Sequence, residues 1–131
     1  VAAFEDRIKV LVSWAGCYSV LDDLYKFYDH LQPTVQRLLG GVSHEEALEQ
    51  LKAFTMEGIA QNIKVPTLMT HGTSDKLMNW EGAQRLFDEI GAKDKTLVLY
   101  DDPKVGGTVH CSHDCWAHQS PMIFDWIEER L

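Results

Sequence analysis

The residues best able to do chemistry cluster near the carboxyl end of the chain, in Val105-Gly106-Gly107-Thr108-Val109-His110-Cys111-Ser112-His113-Asp114-Cys115-Trp116. Positions 110 to 115 hold two histidines, two cysteines and an aspartate. Three chemistries use such residues. Thiolates and imidazoles together can hold a tetrahedral zinc ion. A cysteine beside a histidine can act as a nucleophile. A single imidazole can serve as general base if a carboxylate reaches it from elsewhere in the fold. The spacing weighs against zinc, because structural zinc sites usually pair two ligand clusters across a longer loop and no second cluster follows or precedes this one. C-S-H-D-C-W also lacks the glycine of the C-G-S-C-W pattern around one known class of catalytic cysteine. The third reading requires an acid, and Asp75 is the candidate.

Asp75 and His110 are 35 residues apart, so the elements between them must bring them together. Val65 to Gly72 (VPTLMTHG) reads as a buried strand with a proline at its entrance, and Asp75 follows three residues after its closing glycine. Asn79 is placed to cap a helix over 80–90 that Gly91 ends. Thr96 to Tyr100 (TLVLY) reads as the next strand, with His110 ten residues beyond it. Neighbouring strands stand about 4.8 Å apart. If the two are parallel and adjacent, both loops leave the same rim and a carboxylate can meet an imidazole there.

The rest of the chain fits that scheme. Ile8 to Trp14 (IKVLVSW) is a continuous apolar run, the mark of a strand covered on both faces. Between it and Lys64 the pattern is helical: apolar positions over 20–31, a short helix over 33–39 closed by Gly40-Gly41, and a capping box at Ser43-His44-Glu45-Glu46 opening a helix to about Phe54. One or two further turns run to Asn62. Ser120-Pro121 offers a start for a closing helix, which the pattern also allows to begin at Trp116. Strands alternating with helices predict an α/β fold with a parallel sheet of about three strands. Residues 1–16 and 65–131 form its core, and 17–64, too long for one packing helix, form a helical cap. Ligands of open α/β sheets bind at the carboxyl ends of the strands, where Asp75 and His110 are expected.

Composition excludes several classes. The 131 residues carry 20 acidic against 12 basic side chains, a formal charge of −8 that is unsuited to nucleic acid. No apolar run approaches the length of a membrane span. Three cysteines, an odd number, do not make a disulfide framework, and the sequence starts with nothing resembling a signal peptide; a reducing, cytoplasmic setting is expected.

The order of a strand-end aspartate followed by a loop histidine is that of the α/β-hydrolase fold, and particular motifs sharpen the likeness. VPTLMTHGTSDKLMNWEGAQRLFDEI resembles the P-x-L-x-x-H-G-x-x-D element of these hydrolases, and GGTVHCSH with the WIEERL helix resembles their histidine loop and final helix. H-C-S-H is similar to the H-C-C-H loop of the hydrolases that cleave carbon–carbon bonds in pseudooxynicotine-type substrates, and to fungal enzymes that shorten polyketides. The opening FEDRIKVLVSWAGCY and the segment ending FTMEGIAQNIKVP resemble the strand and the inserted cap of that family. The resemblance implies that Asp75 is the triad acid and His110 the base. It implies hydrolysis of an ester, an amide or a carbon–carbon bond next to a ketone in a small acyl or polyketide-like substrate, with no cofactor.

One element of the pattern is missing. No G-x-S-x-G occurs, and Ser13, Ser19, Ser43, Ser74, Ser112 and Ser120 all lack the flanking glycines. VAAFEDR, which begins without methionine, reads as the tail of a helix. The expectation is therefore a carboxyl-terminal part of a serine hydrolase, inactive alone, with the nucleophile and the oxyanion donors upstream of Val1. Its first strand would be an open apolar edge, to be covered by the missing amino-terminal half or by a second copy. The alternative is a non-catalytic interaction module. Cys17, Tyr18, Trp80, His113 and Trp116 are candidates to line the substrate pocket. His71 reads as structural, holding loop backbone, and Gly106-Gly107 as the hinge that swings His110 over the strand ends.

Overall fold

A computed structural model describes all 131 residues. Three strands, β1 (Leu11–Trp14), β2 (Thr67–Gly72) and β3 (Lys95–Tyr100), form one parallel sheet in the order β1-β2-β3. The register pairs Trp14 with Thr70 and Gly72 with Tyr100, so all three strands end at one rim. The α/β fold and its three parallel strands follow the expectation.

The central strand shows why. Every residue of β2 is buried, and its side chains alternate between two cores. Leu68 points to one face, where Ile123 and Trp126 of α4 (Trp116–Glu128) cover it. Met69 points to the other, among Ala83, Leu86 and Ile90 at α3 (Trp80–Glu89). Asn79 caps α3 by accepting from the Glu81 N–H at 3.2 Å. β1 departs from expectation. It spans four residues, not seven, and each is only half-buried, because the strand pairs on one side alone and is the sheet's edge.

Residues between β1 and β2 wind into helical turns around their own core of Leu21, Tyr25, Ala47 and Leu51. The single helix expected over 20–31 does not form. Leu21–Tyr25 is instead a wide turn closed by Lys26 N–H donating to the Leu21 carbonyl, and Tyr28 leaves helical geometry before the short turn Asp29–Leu31. Asp23 accounts for the start of this arrangement: its Oδ2 accepts the Tyr18 and Ser19 N–H groups, each at 2.8 Å, closing the turn on the residues just before it. α1 (Gln32–Leu38) ends before Gly40 and Gly41, both at positive φ, and α2 (His44–Leu51) opens with both bonds of the Ser43–Glu46 capping box. α2 is shorter than expected, giving way to turns at Lys52. The closing helix takes the earlier of its two starts, Trp116, and carries Pro121 within it. No helix is long and apolar enough to cross a membrane.

Candidate active site

Asp75 reaches the rim on a loop that leaves little freedom. Its Oδ1 accepts the N–H groups of Leu77 (2.8 Å) and Met78 (3.0 Å), an aspartate turn closed on itself. The side chain is fully shielded from solvent. Burial pushes its carboxyl up, but the hydrogen bonds from His71, Met78, His110 and Leu77 outweigh that and lower its pKa to about 2. Asp75 is therefore a carboxylate at any physiological pH.

The histidine arrives from β3 by a different route. Ser74 N–H donates to the Thr108 carbonyl and Thr73 N–H to the Tyr100 carbonyl, each at 2.9 Å, so the two loops are stitched together before the side chains meet. Gly72 permits the close approach, since a Cβ there would overlap the Thr108 carbonyl. Gly106 (φ 85°) and Gly107 (φ 84°) turn the chain back over the rim. Cys111 (φ 48°) and Ser112 (φ 55°) then hold left-handed backbone without being glycine, a costly geometry. Side chains prop it: Trp14 Nε1 donates to Ser112 Oγ (3.2 Å), Trp116 Nε1 to the Cys111 carbonyl (2.8 Å), and Thr108, by N–H and Oγ1, to Asp114 Oδ2 (3.0 and 3.1 Å).

At the meeting point His110 Nδ1 lies 2.8 Å from Asp75 Oδ2. A carboxylate accepts only, so Nδ1 carries the proton and Nε2 is the free basic nitrogen. No serine hydroxyl hydrogen-bonds to His110; Ser112, nearest in sequence, is buried and engaged with Trp14. The half-buried His110 ring opens into a recess of about 290 Å³ that it shares with Tyr28, Ser74, Lys76, Leu77, Val109 and His113. An oriented imidazole beside an ionised carboxylate can take a proton from a weak nucleophile and return it to a leaving group.

Of the other sequence candidates, only His113 lines this recess, with its ring tilted against Trp116 at 5.1 Å. Cys17 faces a separate apolar groove beneath β1, and Trp116 a recess with Trp14, Cys111 and Ser120. Tyr18 is buried, its hydroxyl donating to Glu89 Oε2 with Arg85 stacked on its ring. Trp80 begins α3 and does not line the recess. These four do not line the recess of His110. The recess residues Tyr28, Lys76 and Leu77 carried no motif; Lys76 and Leu77 could have been found from adjacency to Asp75, but Tyr28 owes its place to the unforeseen break after Tyr25. No group of three or more His, Cys, Asp and Glu converges on a point that could hold a metal ion, and all three cysteines are free thiols. Burial first, and the Asp75 charge second, push the Cys111 thiol up, the reverse of what a cysteine nucleophile needs.

A family model described as serine aminopeptidase, S33, matches residues 38–103, a span that contains Asp75 and stops short of His110. Solved structures share the fold. The chain is similar to the 2,6-dihydroxy-pseudo-oxynicotine hydrolase (21% identity, TM-score 0.75), covering 99% of this chain and 35% of that one. A cold-adapted esterase from an Arctic intertidal metagenomic library is 18% identical with a TM-score of 0.60, over 100% and 42% of the two chains. The monoacylglycerol lipase of Paleococcus ferrophilus is 18% identical with a TM-score of 0.62, over 96% and 61%. The chain thus spans between about a third and three-fifths of these neighbours. No curated protein matches the sequence.

Proposed function

The chain belongs to the α/β-hydrolase family described as serine aminopeptidase, S33, and from that premise we propose that it supplies the acid and base of a serine-hydrolase triad. Asp75 is the acid and His110 the base. The nucleophilic serine comes from outside these 131 residues, because none of the chain's own serines carries the flanking glycines of a nucleophile elbow or a bond to His110. The observation that carries the reading is the 2.8 Å contact between His110 Nδ1 and Asp75 Oδ2.

In this mechanism the serine hydroxyl gives its proton to His110 Nε2 as its oxygen attacks the carbonyl carbon. Asp75, ionised throughout, stabilises the imidazolium that forms. The imidazolium returns the proton to the leaving group as the bond breaks, leaving an acyl-enzyme. Water, deprotonated by the same nitrogen, releases the acid and regenerates the serine. The bond cleaved is an ester, an amide or a carbon–carbon bond beside a ketone. Residues 17–64 act as a cap, an assignment supported by Tyr28 reaching the recess of His110. The nucleophile-bearing portion, or a second copy, covers the open side of β1 and the apolar groove of about 390 Å³ beneath it.

A chromogenic ester tests this. The 131-residue chain is expected to show no turnover above the buffer rate, and turnover that survives His110→Ala would overturn the assignment. The open β1 edge also favours a second reading, an interaction module without catalysis. Light scattering that finds a stable dimer, together with a His110 ring that carries no proton on Nδ1, would favour it.

A further inference from the structure

His71 is the last residue but one of β2, its side chain wholly shielded from solvent, although the acid–base pair needs only Asp75 and His110. Its Nε2 faces two acceptors at once, the Met78 carbonyl at 3.3 Å and Asp75 Oδ2 at 3.1 Å. Neither acceptor can donate, so Nε2 carries the ring proton. Nδ1 is buried with no partner. Burying such a nitrogen without a protein partner is costly, so a space-filling role is poorly served by this side chain, and the Nε2 contacts must compensate.

Those contacts fall where the acid is least secured. Asp75 Oδ1 is held by two backbone N–H groups of its own turn. Oδ2, the oxygen that receives His110, has no backbone donor. Without His71 it would be fixed only by the base it is meant to orient. We propose that His71 is a positioning residue for the triad acid: it holds Asp75 Oδ2 from the rigid end of β2 and couples that oxygen to the Met78 carbonyl, so the acceptor is in place before His110 arrives. This inference rests on the reading of Asp75 and His110 as acid and base. The ionisable groups around the Asp75 carboxyl are His71, His110 and the Cys111 thiol.

Nuclear magnetic resonance of the 131-residue chain tests it in two ways. In wild-type protein, the ring nitrogens of His71 must show the proton on Nε2; a proton on Nδ1 alone overturns the proposal without any substitution. The Asp75 carboxyl is then titrated. His71→Phe is expected to raise its midpoint by about one pH unit, and His71→Gln, whose amide nitrogen can occupy the Nε2 position, is expected to recover at least half of that shift. A midpoint unmoved by His71→Phe, or moved equally by both substitutions, overturns the positioning role. The acid–base reading fails separately, if His110 of the wild type lacks a proton on Nδ1 or if that proton does not respond to Asp75→Asn.

Discussion

The two loops that build the site are made in opposite ways. Residues 73–79 form a short turn that closes on the Asp75 side chain, with no positive φ and both carboxylate oxygens engaged. Residues 101–115 make a longer excursion through four left-handed residues, two of them not glycine, and depend on Trp14 and Trp116 from outside the bend, and on Asp114 within it, to hold it. The acid is thus held by local bonds and the base by propped strain. That division suits the chemistry assigned to them. A carboxylate that only orients must stay still, whereas an imidazole that carries a proton between two partners must keep one nitrogen open to the recess.

Substitutions can break this contrast. The largest effect should come from Asp75→Ala, which unpairs two backbone N–H groups and two imidazoles in a buried place; a loss of roughly 3–5 kcal/mol is expected in urea unfolding. An effect under 1 kcal/mol would mean that the carboxylate does not organise its loop. Next, Gly72→Ala drives a Cβ into the Thr108 carbonyl where the loops are stitched, and about 2–3 kcal/mol should be lost; Gly41→Ala, which meets open space at φ 80°, should cost less. Acid comes third. Because the Asp75 carboxyl lies near 2 in the folded chain and near 3.9 when unfolded, its contribution is fully present above about pH 4 and is lost as pH falls from there through 2. Wild type should therefore lose about 2 kcal/mol more than Asp75→Asn across that window. The smallest change is Trp14→Phe, which removes one bond to Ser112 and should cost about 1 kcal/mol while broadening the His110 resonances and leaving those of Leu77 and Met78 sharp.

The same contrast explains how far the sequence could be read. The Asp75 loop was legible because its determinants are local: a buried strand, a glycine, an aspartate and the Asn79 cap follow one another within fifteen residues. His110 was legible through its motif, and Gly106-Gly107 through glycine's tolerance of positive φ, but nothing local announced left-handed backbone at Cys111 and Ser112. One of the bonds that hold it comes from Trp14, 98 residues from Ser112. The helix expected over 20–31 also failed: its apolar spacing was right, but Asp23 turns back to accept the Tyr18 and Ser19 N–H groups, and apolar periodicity does not record such a bond. The aromatic candidates Tyr18, Trp80 and Trp116 were chosen by residue type, which does not say whether a side chain will line the recess of His110.

The central claim is that one carboxylate and one imidazole, delivered from adjacent parallel strands, form a working acid–base pair. Proton resonance of the His110 ring measures it most directly. The account predicts a solvent-protected Nδ1 proton far downfield of the amides, abolished by Asp75→Asn and by His110→Ala and untouched by His113→Ala. A downfield proton that persists in Asp75→Asn, or its absence from folded wild-type protein, would contradict it.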